Sequence, residues 1–285
     1  MRIVIDDAGD IPADVAAEYN IAIVPVNIMF GTEEFLSGEQ MNHQQFYEKV
    51  KTIDSSNFPK TSQPTPYQFT KALEGMIAAG ETELYVITVG EKLSGTFASA
   101  TAAQKELADR ATIHVFNSTG ATAIMGFMAV EAARMVRAGA NAAAITARLT
   151  KMRAEMVVYF MIDTLEFAVR GGHVGALRGT VASLLNIKPI MQLVDGEVVE
   201  AGRVRTPKKA RDHIVRVVHE AVGNRPVRLA AIHANAPALG AEVLEKATAV
   251  FNVRESMIVD MTIPVAINLG PGALGLVAIP ILDEG

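Results

Sequence analysis

The sequence predicts an α/β protein of two domains, and two patterns carry this prediction. In the first half, strand-like apolar runs alternate with helix-like runs, an order typical of a mostly parallel sheet with flanking helices. From about Met156 the pattern changes, and two strand-like runs flank Asp195-Gly196, a dipeptide that favours a tight hairpin. We therefore predict an N-terminal, mostly parallel α/β domain over residues 1–156 and a C-terminal mixed α/β domain over residues 157–285.

The predicted elements follow one another along the chain without an internal repeat. In the first half, strands are predicted at RIVID, IAIVPVNIMF, ELYVITV and TIHVF, and helices at PADVAAEY, HQQFYEKVKT, YQFTKALEGMIAAG, SGTFASATAAQKELA, ATAIMGFMAVEAARMVRAG and NAAAITARLTKMRA. In the second half, strands are predicted at MVVYFMI, on both sides of the hairpin turn in KPIMQLVDGEVVEAGRV, at VRLAAIH and twice more near the end. Helices are predicted there at DTLEFAVRGG, VASLLNI and PKKARDHIVRVVHEAV, with one more after VRLAAIH.

The composition excludes several classes of protein. The chain has 285 residues, a net charge of −5 and no basic cluster, so nucleic acid is not an expected partner. Cysteine is absent, which excludes disulfides and thiolate chemistry and fits a cytoplasmic protein. The first residues are acidic by Asp6, unlike a signal peptide, and no apolar run has the length of a membrane span. We expect at most transient contact with a membrane.

Three glycines near the end, Gly270, Gly272 and Gly275, have the spacing of a dinucleotide-binding loop. That loop functions only where it follows a strand and opens a helix. Here the run LVAIPIL follows, which contains Pro280 and is strand-like. We therefore exclude a dinucleotide site and expect no cofactor.

Small polar residues follow three predicted strands of the first half. RIVID ends at Asp6 and is followed by Asp7 and Asp10. Gly90 and KLSGT follow ELYVITV, and residues 117–119 follow TIHVF. Ligands bind at the carboxyl ends of the strands in open parallel sheets, so this edge is a candidate site. Loops are polar in any case, and the pattern alone leaves both explanations open.

Two polar loops stand out within this half. Ser94 is predicted at a helix start, where free amides and the helix dipole favour an anion. It could hold a carboxylate, serve as the N-cap, or do both. In PKTSQPTPYQF, Thr65, Pro66 and Gln68 predict a capping box, which leaves residues 61–63 without a structural explanation.

The long helix predicted over residues 121–139 carries its charges on one stripe, at Glu131, Arg134 and Arg137. Its other positions are mostly small or apolar, which is typical of a helix buried around most of its girth. Gly126 would let a neighbour lie close to the helix. Ordinary core packing and a thin ligand chain both fit this feature.

The sequence contains no catalytic constellation. Its histidines lack metal-ligand spacing, and it has neither a nucleophile elbow nor a phosphate-binding loop. This favours a ligand carrier without catalytic residues or a metal. The alternative is a metal-dependent enzyme that acts on a small phosphorylated or hydroxylated metabolite through Asp6, Asp7 and Asp10.

Several segments resemble, in order and nearly end to end, the motifs of the DegV family of bacterial fatty-acid-binding proteins. These segments are IDDAGDIP, PKTSQPTPYQF, KLSGTFASA, TLEFAVRGGHVG, LLNIKPIMQLVDGEV with VRTPKKA, and NLGPGALG. The resemblance implies a long-chain fatty acid buried between two α/β domains. It implies that hydroxyls of two loops hold the carboxylate, here Thr61, Ser62 and Ser94 beside Gly95. It also implies that Asn268 of the Gly-Pro-Gly segment adds a polar group and that the glycines let the backbone approach the acid.

The same resemblance implies a carrier that does no chemistry of its own. It presents the acid to a separate fatty acid kinase, and the acyl phosphate then feeds phospholipid synthesis. On this basis Arg170, His173 and Arg205 are expected to face the partner.

The chain departs from the family pattern at several positions. Asn268 stands where the family has histidine, and asparagine donates a hydrogen bond but cannot become a cation. His173 stands for an arginine and Asp7 for a serine. Gly90-Glu91 replaces a pair of serines, and Asn117-Ser118 replaces Asp-Ser. We expect these changes to affect head-group geometry and kinase pairing rather than the fold.

Overall fold

The computed structural model describes residues 1–171 and 187–282, and the chain divides into two compact units. Unit 1 comprises Met1–Arg153 with Thr262–Pro264. Unit 2 comprises the described parts of Ala154–Met261 and Val265–Gly285. The boundary of independently folding domains at residues 156 and 157 stays a prediction.

Unit 1 contains seven described strands and six helices. The strands are β1 (Arg2–Asp6), β2 (Ala22–Val24), β3 (Asn27–Phe30), β4 (Glu33–Leu36), β5 (Pro59–Ser62), β6 (Glu83–Thr88) and β7 (Thr112–Asn117). The helices are α1 (Ala13–Glu18), α2 (His43–Val50), α3 (Pro66–Ala78), α4 (Thr96–Glu106), α5 (Ala123–Arg137) and α6 (Ala142–Glu155).

The main sheet of unit 1 is parallel throughout, in the order β2-β1-β6-β7. This confirms the parallel sheet that the alternation of strands and helices predicts. One buried cluster joins the sheet to α3 and α4; it comprises Val4, Val24, Phe69, Leu73, Leu84, Val86, Ala100, Ala103, Leu107 and Ile113. Helix α5 packs against β1, and its residues from Ala123 to Ala133 are all buried, as its composition predicts.

A second sheet of unit 1 was not predicted. It is antiparallel, with the order β4-β3-β5. The single strand predicted over IAIVPVNIMF is wrong, because its two halves are β2 and β3 and belong to different sheets. Pro25 lies between them and has no N–H to donate to a ladder, so pairing stops at this point.

Unit 2 is a mixed sheet with helices. Its strands are β8 (Val157–Met161), β9 (Lys188–Val194), β10 (Glu197–Val204), β11 (Pro226–His233), β12 (Asn252–Asp260) and β13 (Leu274–Pro280). Its helices are α7 (Leu165–Gly171), α8 (Pro207–Val222), α9 (Pro237–Thr248) and α10 (Ile263–Leu269), of which the first two residues belong to unit 1. The strand order is β10-β9-β8-β13-β11-β12, and only β11 and β12 are parallel neighbours.

The local predictions in unit 2 are mostly confirmed. Asp195 and Gly196 have φ of 49° and 79°, the positive values that a two-residue type I′ hairpin requires, and they join β9 to β10. Helix α10 was missed, because it is only seven residues long and Pro264 lies in its first turn. The helix predicted at VASLLNI lies, except for its last residue, outside the described residues.

Along residues 1–171 and 187–282, no helix has both the length and the apolarity to cross a bilayer.

Helix α5 approaches the chain that follows β1 without room for a side chain. A Cβ on Gly126 would lie 2.2 Å from the carbonyl oxygen of Asp10. The close neighbour that Gly126 permits is therefore the protein's own backbone, which supports core packing.

We expect Gly126→Ala to lower the free energy of unfolding by about 1–3 kcal/mol or more, because the new methyl group must displace packed backbone. Gly75→Ala in α3 is the matched control, since nothing lies within 4 Å of its Cβ position. It should raise the free energy of unfolding by about 0.5–1 kcal/mol through helix propensity. Urea unfolding of both variants checks this, and equal effects would contradict the close approach at Gly126.

Candidate functional site

The loops that follow β1 and β6 are joined by the buried carboxylate of Asp6. One oxygen accepts the N–H of Ala8 at 2.9 Å, and the other accepts the N–H of Val89 at 2.7 Å. Burial raises the pKa of Asp6 to about 6, although the backbone N–H groups act in the opposite direction. Asp6 therefore has a structural role at the carboxyl edge of the parallel sheet.

The loop after β7 reaches the same edge. The N–H of Gly90 donates to the carbonyl of Gly120 at 2.8 Å, and the N–H of Glu91 donates to Oδ1 of Asn117 at 3.3 Å. A Cβ on Gly90 would lie 2.9 Å from the carbonyl carbon of Thr119. The three polar loops that the sequence placed at this edge therefore meet there, and glycine at position 90 is explained by the close contact.

Ser94 lies one residue before the N-cap of α4. The helix begins at Thr96, and the N-cap is Gly95, which has no side chain with which to cap. Oγ of Ser94 lies 2.9 Å from Oγ1 of Thr96 and 3.4 Å from its N–H. The half-buried Ser94 hydroxyl is thus held at the positive end of α4 without occupying the N-cap position that the sequence suggested.

Thr61 and Ser62 are the last two residues of β5. Both are half-buried, and they pair with Ile28 and Asn27 of β3. These cross-strand partners fix the backbone from which the two hydroxyls project.

The predicted capping box at the start of α3 is confirmed. Oγ1 of Thr65 accepts the N–H of Gln68 at 3.2 Å, and Oε1 of Gln68 accepts the N–H of Thr65 at 2.8 Å. An anchor that sequence reasoning missed is Asn27. Its side chain accepts from Nε2 of Gln68 at 2.7 Å and donates to the carbonyl of Gln63 at 3.2 Å. No local signal pointed to Asn27, because its partners are about forty residues away along the chain.

The two hydroxyl-bearing loops contact each other at Gln63 and Gly95. A Cβ on Gly95 would lie 2.5 Å from Nε2 of Gln63 and 3.0 Å from its Cδ. Any larger residue at position 95 would have to move the Gln63 side chain. Within unit 1, Ser62 and Ser94 therefore belong to adjoining segments.

In unit 2, Asn268 is half-buried near the end of α10. The glycines that follow it, Gly270 and Gly272, have φ of +83° and +82°. Their Cβ positions would lie 3.1 Å from the Phe167 side chain and 3.0 Å from Cβ of Asp163, respectively. Packing within unit 2 and positive φ thus account for these glycines. The run after Gly275 is the strand β13, in agreement with the exclusion of a dinucleotide loop.

The structure describes two of the three residues that are expected to face a partner. Arg170 lies on α7, is exposed and pairs with Glu166 at 3.0 Å. Arg205 is exposed and directly precedes Thr206, the N-cap of α8. His173 lies outside the described residues.

The acidic segment does not form a metal site in the part of the chain that the structure describes. Residues 1–171 and 187–282 contain no group of three or more His, Cys, Asp or Glu placed to hold a metal ion. Asp6 accepts the two N–H groups described above, and the buried carboxylate of Asp10 accepts the N–H of Thr262 at 2.8 Å. These contacts give Asp6 and Asp10 structural roles.

The geometry defines a protein of two α/β units, with hydroxyl-bearing loops at the carboxyl edge of a parallel sheet in unit 1. The sequence profile described as "Uncharacterised protein, DegV family" matches residues 1–281. The chain belongs to the DegV family.

Individual relatives agree with this assignment. A DegV domain-containing protein of Listeria innocua is 32% identical over 277 residues, which cover 97% of each chain. The structure of DegV from Bacillus subtilis, described as a fatty acid binding protein, has 29% identity and a TM-score of 0.88, over 98% of this chain and 99% of that one. A DegV family protein from Thermus thermophilus, whose structure is described as showing fatty acid binding, has 28% identity and a TM-score of 0.87, over 99% and 100%. The mixed α/β fold class is confirmed.

Asp7, which stands for a family serine, is a second buried acid beside Asp6. It is 9% exposed, and burial raises its pKa to about 7. The negative charges of Asp6 and Glu39 also raise the pKa, whereas a hydrogen bond from Ser37 lowers it. Between about pH 4 and pH 7 the folded protein therefore holds a proton that the unfolded chain releases, so the free energy of unfolding falls as the pH rises through this window.

We expect Asp7→Asn to flatten this pH dependence and to raise the free energy of unfolding above pH 8 by on the order of 2–4 kcal/mol. Near pH 4 the variant and the parent should differ little, since the parent's Asp7 is then neutral. Denaturant unfolding at pH 4.5 and 8.5 measures both effects. Asp109→Asn removes the same charge at an exposed position and should change neither curve; parallel curves for Asp7→Asn and the parent would contradict the assignment.

Proposed function

We propose that the protein binds a long-chain fatty acid in a buried tunnel and acts as a carrier without catalysis of its own. Membership of the DegV family supports the ligand class, since relatives from Bacillus subtilis and Thermus thermophilus are described as binding fatty acids. Within this chain, the observation that carries the proposal is the contact between Gln63 and Gly95. It places the two loops that carry Ser62 and Ser94 next to each other.

In this proposal the hydroxyls of Thr61, Ser62 and Ser94 donate hydrogen bonds to the carboxylate. Gly95 is exposed and is the N-cap of α4, next to the first turn, where backbone amides and the helix dipole favour a negative charge. Neutral donors of this kind hold a carboxylate without a fixed counter-ion. Asn268 adds an amide donor, which does not titrate as the family's histidine does.

We further propose a partner that performs the chemistry. The carrier presents the carboxylate to a separate fatty acid kinase in the cytoplasm, and the acyl phosphate feeds phospholipid synthesis. A carboxylate oxygen attacks the terminal phosphorus of a nucleoside triphosphate, and the nucleoside diphosphate leaves. Arg170, His173 and Arg205 are the proposed partner-facing residues, as the family resemblance implies. The guanidinium groups of the two arginines suit phosphate and carboxylate recognition.

We expect Ser94→Ala and Ser62→Ala each to weaken fatty-acid binding by roughly tenfold to a hundredfold. A hydrogen bond to a charged group contributes about 1.5–3 kcal/mol, and its loss leaves the carboxylate short of a donor. Calorimetric titration of oleate into delipidated protein measures the affinities.

Ser256→Ala, at an exposed position of β12 in unit 2, is the matched control and should bind like the parent. Both site variants should keep the parent's melting temperature to within a few degrees. Parent-like affinity in both site variants would remove these hydroxyls from the head-group site.

A further inference from the structure

In unit 2, the segment that carries Asn268 lies along α7 and the residues just before that helix. Three pairs of residues meet, each with a glycine on one side: Asp163 with Gly272, Phe167 with Gly270, and Gly171 with Asn268. Along α7 and the residues before it, successive members of the pairs are four positions apart. Along the segment that carries Asn268 they are two positions apart and run in the opposite direction. The contacts therefore follow a single register, and a shift of either segment would disturb all three.

The contact nearest to Asn268 leaves its side chain little freedom. A Cβ on Gly171 would lie 2.6 Å from Oδ1 of Asn268 and 3.3 Å from its Cα. The amide thus packs directly on the end of α7. Because packed contacts of this kind leave few alternative rotamers, a displacement of the adjoining Gly270–Gly272 turn would also displace the amide.

The far end of the register is held by Lys188, the first residue of β9. Its ammonium donates to the carbonyl oxygen of Asp163 at 2.8 Å and to Oδ1 of the same residue at 2.7 Å. One lysine therefore fixes both the backbone and the side chain of Asp163. The second carboxylate oxygen, Oδ2, would lie 3.2 Å from a Cβ on Gly272, so this side chain forms the surface on which the turn rests.

We propose that Lys188 is a positioning residue of the head-group site. Through Asp163 it holds the Gly270–Gly272 turn, and the turn holds the amide of Asn268. This role rests on the proposed function, in which Asn268 donates to the fatty-acid carboxylate. The Lys188 and Asp163 side chains are 23% and 40% exposed, and ion pairs so accessible to solvent contribute little to stability. Loss of the pair should therefore mainly change the position of the turn and of the Asn268 amide rather than the stability of the protein.

Lys188→Met tests the proposal, because it removes the ammonium and keeps the length of the side chain. Titration of oleate into delipidated protein should show roughly five- to tenfold weaker binding, the effect of one poorly aligned hydrogen bond. Lys246→Met is the matched control. Lys246 also lies in unit 2, is 33% exposed and pairs with Asp212 and Glu242. It should change stability to a similar, small extent and change the affinity less than twofold.

A double-mutant cycle separates positioning from a general structural effect. In the Asn268→Leu background, Lys188→Met should weaken binding less than twofold further, since both substitutions act through the same amide. Asp163→Asn, which keeps the packing on Gly272, should weaken binding in the same direction as Lys188→Met and provides a second variant should Lys188→Met fold poorly. Independent, additive losses for Lys188→Met and Asn268→Leu would overturn the proposal.

A spectroscopic measurement observes the amide itself. The side-chain NH₂ signals of Asn268, assigned in proton–nitrogen spectra by their loss in Asn268→Leu, should shift in Lys188→Met and stay in place in Lys246→Met. Unchanged signals in Lys188→Met would refute the positioning role.

If Asn268→Leu itself binds oleate like the parent, Asn268 has no part in the head-group site and this proposal fails with it. If only Lys188→Met binds like the parent, the role of Asn268 stands and the positioning role alone fails.

Discussion

The buried carboxylate of Asp6 is the constraint on which the candidate site of unit 1 depends. Its two oxygens each accept one N–H group, from the loops after β1 and β6. A substitute at this position would need two acceptor oxygens in the same geometry to keep both bonds. The β6 loop continues into Ser94, so the bond at Val89 fixes the start of the segment that carries this hydroxyl. The cost is a buried acid whose pKa is raised by desolvation, and Asp7 adds a second one beside it. Asp6 therefore holds the loops at the carboxyl edge of the sheet, and the two buried acids lower the free energy of unfolding at neutral and alkaline pH.

Glycines determine how closely the segments around the candidate residues approach each other. In unit 1, Gly90 and Gly95 permit contacts with Thr119 and Gln63 that any Cβ would block. In unit 2, Gly171 and the Gly270–Gly272 turn do the same along α7. The Gly-x-Gly-x-x-Gly spacing at the end of the chain resembles a nucleotide fingerprint, yet the structure uses its glycines for packing and for positive φ. A motif of this kind indicates a ligand only when its structural context agrees.

The features that the sequence predicted well are those with local causes. The capping box at Thr65 and the hairpin at Asp195-Gly196 each depend on residues within four positions of one another, so their chemistry is visible in the sequence. The parallel sheet follows from the alternation of apolar periods. The small antiparallel sheet, the bonds of Asn27 to the 63–68 turn and the clamp of Lys188 on Asp163 depend on residues far apart in sequence. No pattern within one segment could indicate those contacts. The predicted helix start identified Ser94 as a candidate, whereas Thr61 and Ser62 became candidates only through the family resemblance.

The claim that this chain is a fatty-acid carrier is tested most directly by native mass spectrometry of the purified protein. The account predicts a complex heavier than the chain by the mass of one long-chain fatty acid. The bound species should be lost on delipidation, regained with oleate and indifferent to magnesium. It should also be depleted in Gly95→Val, whose side chain would separate the loops at Gln63. A protein that carries no lipid, takes up none when oleate is supplied, and instead binds a small metabolite only with a divalent metal would contradict the account.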